Sequence, residues 1–155
     1  MTESEKARIK KCKVKMARFC AYRERTHQEV KTKAYELGLR SEEADELLAE
    51  LIAENFVSEE RFAKIFVRDK FHLNKWGRRK IIQELQRRKI SNQCINTGLQ
   101  EIEEEDYLMM IEKLYAKKSA TIRDDSELMK NQKAAAYLIR KGFESDLVWS
   151  LINRR

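Results

Sequence analysis

Apolar residues recur at helical spacing along most of this chain. Ala44, Leu47, Leu48, Leu51 and Ile52 follow the i, i+3, i+4, i+7, i+8 series that marks one face of a helix. Phe62, Ala63, Phe66 and Val67 make a second stripe, and Ile81, Ile82 and Leu85 a third. Ile95, Leu99 and Ile102 follow, then Leu108, Ile111, Leu114 and Tyr115. Ala134, Ala135, Leu138 and Ile139 precede a last stripe of Leu147, Val148, Leu151 and Ile152. Upstream, Met16, Phe19 and Cys20 share a face of a helix predicted over 10–24. There is no proline and there are only four glycines, a poor supply of turns for a sheet. The pattern predicts an all-α chain.

A second, longer period lies over the first. Leu37-Gly38-Leu39-Arg40-Ser41, Arg88-Lys89-Ile90-Ser91 and Lys141-Gly142-Phe143-Glu144-Ser145 each end a basic helix in a hydrophobic residue and a serine. Leu39, Ile90 and Phe143 are 51 and 53 positions apart. A near-constant period in a helical chain implies stacked units, each burying its apolar face on the next. Three tandem three-helix repeats are therefore predicted, forming an elongated, curved array of right-handed type. The first spans 1–57 with a basic N-terminal tail, the second 58–104 and the third 105–155. Thr26 with Glu29 reads as a capping box and Ser41, Ser91 and Ser145 as helix caps, while the second unit starts at Ser58 with Glu59 and Glu60 in its first turn. Gly38 fits a left-handed C-terminal cap, and Asn55 can end the helix before it. The polar stretch 121–126 reads as a longer, mobile loop.

Charge follows the same long period. Residues 6–33 hold eleven bases against two acids, and 41–60 eight acids and no base. Residues 61–89 again hold eleven bases against two acids, and the acidic run Glu101 to Asp106 follows. The net charge is +7 at pH 7. Basicity of this kind favours polyanions or acidic protein surfaces. An extended array that aligned its basic helices would track a phosphate backbone or an acidic groove.

The densest candidate surface is Lys75-Trp76-Gly77-Arg78-Arg79-Lys80, where a glycine precedes a helix whose first amides can bind an anion. Trp76 can either stack on a base or pack between units. Arg23, Arg25 and Lys31 surround the Thr26 cap, and Arg140 and Lys141 precede Gly142. Arg61 and Arg68 lie on the helix that enters the second unit. Arg61, near Glu59 and Glu60, is equally suited to a structural ion pair.

Catalytic chemistry finds no foothold. There is no P-loop, and His27 and His72 stand apart from any second ligand at i+4. No serine or cysteine has a recognisable activating partner. Cys12, Cys20 and Cys94 form no CxxC pair and read as buried thiols of a reducing compartment. No catalytic residue, metal or cofactor is expected. Residues 1–15 lack the apolar core of a secretory signal, and no apolar run approaches a membrane span, so the expected location is cytoplasmic.

Four stretches resemble the RecX family, the regulators of the RecA recombinase. They are Ala21-Tyr22-Arg23-Glu24-Arg25-Thr26-His27-Gln28-Glu29-Val30, Asn55-Phe56-Val57-Ser58-Glu59-Glu60-Arg61-Phe62-Ala63, Gly77-Arg78-Arg79-Lys80-Ile81 with Glu84-Leu85 and Lys89-Ile90, and Tyr137-Leu138-Ile139-Arg140-Lys141-Gly142-Phe143. The second and third together are the more specific, and the likeness runs from Val14 to Ile152. Departures are local. Arg78 stands where the family often has proline, Asn55 where it usually has glycine and Ser58 where it has an acid. Lys89 takes the place of the glycine kept at Gly38 and Gly142. The resemblance implies a monomeric, non-enzymatic protein that binds the RecA nucleoprotein filament along its groove. It would inhibit recombinase, ATPase and coprotease activities and so modulate DNA repair and the SOS response. Contact with single- or double-stranded DNA through the basic face is a further expectation. Two other readings stay open: a stand-alone nucleic-acid-binding repeat protein, and a passive scaffold for an acidic partner.

Overall fold

The computed structural model describes residues 1–123 and 126–154, so part of the loop expected over 121–126 and the last residue of the third repeat lie outside it. The described residues form nine helices and no strand. They are α1 Glu3–Tyr22, α2 His27–Glu36, α3 Ser41–Ala53, α4 Glu59–His72, α5 Arg78–Arg87, α6 Asn92–Leu99, α7 Glu104–Ser119, α8 Glu127–Arg140 and α9 Ser145–Asn153. Helix α1 starts seven residues before the expected position because Thr2 and Glu5 cap each other's backbone amides.

The three turns that repeat in the sequence share one geometry. A residue in the left-handed region closes the preceding helix: Gly38 at φ 94°, Lys89 at φ 61° and Gly142 at φ 104°. The next residue is buried and returns its amide to a carbonyl five positions back. These bonds are Leu39 to Ala34 (3.0 Å), Ile90 to Leu85 (3.1 Å) and Phe143 to Leu138 (3.2 Å). This is the Schellman arrangement, with the buried residue pinned beneath the helix end. The residue after it is the N-cap of the next helix. That position holds Arg40, Ser91 and Glu144. The expected caps Ser41 and Ser145 are therefore corrected to first helical residues, since the buried hydrophobic residue sets the register and serine stands one place too late in those two turns. Glu43 compensates at α3 by accepting from the Arg40 amide at 3.0 Å. Ser58 and Ser91 do cap their helices through their hydroxyls.

Burial divides the chain into two cores. One gathers Ile9, Met16, Val30, Leu47 and Leu51 with their neighbours from α1–α3. The other runs continuously through α4–α9 and includes Phe71, Leu85, Tyr107, Leu138 and Phe143. Ile52 is 43% exposed, which corrects its expected place in the α3 stripe; that face turns outward at the helix end. The accessible surface is 9901 Å². A compact monomer of 18.5 kDa is expected to expose about 8,200 Å². The excess is that of an extended stack of units. No helix among the described residues is long and apolar enough to cross a membrane.

Candidate functional site

Two junctions between units position the basic residues. At the first, Arg61 on α4 reaches back to the α1–α2 turn. Its Nε donates to both oxygens of Glu24 at 3.0 and 3.1 Å, and its Nη atoms donate to Asn55 Oδ1 and O. The His27 amide donates to Glu59 Oε2 at 3.1 Å across the same junction. Arg25 is buried, with its guanidinium 3.7 Å over the Phe19 ring and its Nε on the Phe19 carbonyl. Burial lowers its pKa from the usual arginine value, and Arg23 adds to the effect. Beside this junction a cleft of about 850 Å³ opens between α1–α2 and α4–α5, floored by Phe19, Phe62 and Phe66 and edged by Arg87, Arg88 and Lys89.

The second junction is tighter. The Gly77 amide donates to the Lys141 carbonyl at 2.8 Å, and the Arg79 amide to the Gly142 carbonyl at 2.9 Å. Between them, the Arg78 amide donates to the Tyr107 hydroxyl at 2.9 Å. That hydroxyl donates in turn to Glu144. The Arg78 guanidinium lies 3.7 Å over the Tyr107 ring and pairs with Glu104 and with Glu144, the latter at 3.0 Å. Burial works against the Arg78 charge, but the hydrogen bonds it donates to Glu144 and Glu104 outweigh it and raise the pKa. Burial first and the Glu144 bond second push the Tyr107 phenol well above its ordinary value, so it stays protonated and donates.

This geometry corrects one expectation. The first amides of α5 are not available to an anion, because Lys141, Tyr107 and Gly142 already accept from Gly77, Arg78 and Arg79. The third unit occupies that helix end itself.

The remaining candidates divide by partner. Arg23 pairs with Glu29 at 2.8 Å, Lys31 with Asp45 at 3.2 Å and Arg68 with Glu101 at 3.5 Å. Trp76 is half-buried and meets the Phe66 ring edge-on, with centroids 6.5 Å apart. Lys80 and Lys70 sit over its ring at 4.5 and 5.0 Å. Lys141 donates from Nζ to the Asn74 carbonyl at 3.3 Å. Arg79 and Arg140 are exposed nearby in sequence to this cluster. The fold thus gathers Lys75, Trp76 and Lys80 from one unit with Lys141 from the next, residues more than sixty positions apart in the chain.

Comparison with known proteins places this architecture. A family model described as the second three-helix domain of RecX matches residues 58–99, and one for the third three-helix domain matches 104–152, together more than half of the chain. The chain belongs to the RecX family. A protein named Regulatory protein RecX from Oceanobacillus iheyensis is 27% identical over 136 residues, covering 88% of this chain and 50% of its own length. One from Geobacillus thermodenitrificans is 29% identical over 140 residues, covering 90% and 52%. The chain therefore spans about half the length of these curated relatives. The crystal structure of RecX from Lactobacillus salivarius superposes with a TM-score of 0.88 at 22% identity, covering 96% of each chain. A second crystal structure of regulatory protein RecX gives 0.87 at 22% identity over 98% of this chain and 74% of that one. The shared fold is the all-α helical repeat.

Within that RecX fold, sequence reading found most of the lysine cluster and missed several residues that organise it. Lys70 lies outside the dense run, one helical turn before Asn74, and only its place over Trp76 reveals it. Tyr107 belongs to none of the stripes legible in the sequence, and Glu144 stands there only as part of the repeated turn. Their joint hold on Arg78 depends on contacts across 37 and 66 positions. The acidic run after Glu101 is the available signal, since Glu104 is one of the two carboxylates that meet Arg78.

Proposed function

We propose that this chain regulates the RecA recombinase by binding its nucleoprotein filament and inhibiting strand exchange, ATP turnover and coprotease activity, thereby modulating DNA repair and the SOS response. The observation that carries this reading is membership of the RecX family across the second and third units. The extended stack suits it, since a non-enzymatic regulator of a helical filament needs a long surface more than a closed pocket. Arg79, Lys80, Arg140 and Lys141 are the proposed contacts to the filament. Arg25, Arg61 and Arg78 are proposed to act indirectly, by fixing how successive units sit. The boundaries 1–57, 58–104 and 105–155 are proposed as the units that act together, in a monomer working in the cytoplasm.

Co-sedimentation with RecA–ssDNA–ATP filaments tests this. The wild-type chain should pellet with the filament, and an Arg79→Ala/Arg140→Ala variant should bind several-fold more weakly with unchanged helicity. Failure of the wild type to bind the cognate filament at excess would refute it. The net charge of +7 favours one other reading, direct binding to nucleic acid. A salt titration on bare DNA separates the two, because each phosphate contact adds about 0.7 to 0.9 to the slope of log K against log salt. Tight binding without RecA and a steep slope would favour the second.

A further inference from the structure

Several of the candidate basic side chains are neutralised by carboxylates, whereas those gathered around Trp76 are not. Arg23, Lys31, Arg61, Arg68 and Arg78 all meet a glutamate or aspartate within 3.5 Å. Lys70, Lys75, Lys80 and Lys141 meet none within ion-pair distance among the described residues; Lys70 and Lys80 lie over the Trp76 ring, Lys70 also over Phe66, and Lys141 lies over Tyr137 and donates to the Asn74 carbonyl. Glu84 feels the charge of Lys80, but its oxygens are held by Arg87 and Arg88 at 3.4 and 3.0 Å.

Holding these ammonium groups together is costly. Burial lowers the Lys141 pKa, and repulsion from Lys80 and Lys75 lowers it further. Lys75 itself stands in the left-handed region at φ 57°, a conformation that favours glycine or asparagine. The frame is rigid, because the Gly77–Lys141 and Arg79–Gly142 backbone bonds fix the start of α5 against the end of α8. A fixed set of like charges with no internal counter-charge is matched by a small anion that carries several charges itself.

We propose that Lys75, Lys80 and Lys141, backed by Lys70 and Trp76, form a binding site for a compact phosphate polyanion of the pyrophosphate or triphosphate class at the junction of the second and third units. Compactness follows from the distribution of charge. Lys70 and Lys80 flank the one Trp76 ring and Lys141 reaches the neighbouring Asn74 carbonyl, so this charge is gathered at one locus, whereas Arg23, Lys31 and Arg68 are each paired with a carboxylate. Bound phosphate would tie α5 to α8 and so stiffen this junction. The proposal does not depend on RecA, although it shares Lys80 and Lys141 with the proposed filament contacts.

The test is calorimetric titration of the full chain with inorganic triphosphate at fixed ionic strength. Lys75→Asn/Lys141→Gln and Lys80→Gln are the site variants, and Lys113→Gln is the control. Asparagine keeps the left-handed turn at position 75. Each ammonium removed should weaken binding about tenfold, the value of one hydrogen bond to a charged group. The control should stay within twofold of wild type. Without ligand and at low salt, the double variant should melt no lower than wild type, because it sheds repulsion. Triphosphate that binds no better than matched sulfate, or equal weakening by Lys113→Gln, would overturn the proposal. So would a lower melting temperature of the ligand-free double variant, since the lysines would then be structural. An oligonucleotide lacking terminal phosphates supplies the last arm. If it binds through the same lysines and triphosphate does not displace it, the site follows a nucleic-acid backbone and the compact reading fails.

Discussion

Gly77→Ala isolates the contact that joins the second and third units. Gly77 has φ −79°, which alanine adopts without strain, so the substitution probes space alone. A Cβ built there would lie 2.2 Å from the Gly142 carbonyl carbon, 2.3 Å from the Phe143 nitrogen and 2.4 Å from the Gly142 oxygen. All three are backbone atoms of a turn pinned by Phe143, so they cannot swing aside as a side-chain tip would. The turn must retreat, and the 2.8 and 2.9 Å bonds of Gly77 and Arg79 stretch or break. Two lost hydrogen bonds in a buried setting cost about 1 to 3 kcal/mol each. With strain in the Arg78–Tyr107–Glu144 network, the expected loss is about 3 to 5 kcal/mol. Gly38→Ala is the control. Gly38 sits at φ 94° with nothing near its missing Cβ, so only backbone strain of about 1 to 2 kcal/mol is expected. Urea denaturation followed by circular dichroism measures both. A Gly77→Ala loss no larger than that of Gly38→Ala would refute the close-approach account of this junction.

Other perturbations address the caps and the buried polar groups. Tyr107→Phe strips the hydroxyl that links the Arg78 amide to Glu144 and should cost about 1 to 3 kcal/mol by urea denaturation; a neutral result would mean that solvent replaces the hydroxyl. Lys89→Gly places glycine at a left-handed cap, φ 61°, and should raise stability by up to about 1 kcal/mol in the same assay. Glu43 accepts from the Arg40 amide and from Arg8, and these bonds hold its carboxyl below the usual range against the opposing effect of burial. Because the folded value is depressed, its stabilisation is present above the ordinary glutamate pKa and is lost as pH falls through the folded one. Melting curves from pH 6 to pH 2 should therefore fall less steeply for Glu43→Gln than for wild type, and equal slopes would contradict the assignment.

The parts of the fold governed by local spacing were legible in the sequence. The stripes through Leu47, Leu51, Ile81 and Leu138 are buried where the helical period puts them. The residue triplets around Leu39, Ile90 and Phe143 make one kind of turn, and Lys89 adopts the left-handed conformation even without glycine. Serine misled at two of those turns because capping preference is weaker than the register imposed by a buried side chain. The fate of the arginines was not legible. Arg61 and Arg78 find carboxylates 37 and 66 positions away, and only the stacking angle of successive units brings them together. Repulsion among Lys75, Lys80 and Lys141 has the same origin, since no local pattern announces that α8 ends against the start of α5.

The central claim is that this extended stack acts on a RecA filament. It is tested most directly by ATP turnover of the cognate RecA on single-stranded DNA as the chain is titrated in. The account predicts that turnover falls at fewer than one chain per RecA protomer. Turnover that stays constant at a several-fold molar excess of the folded chain would contradict it.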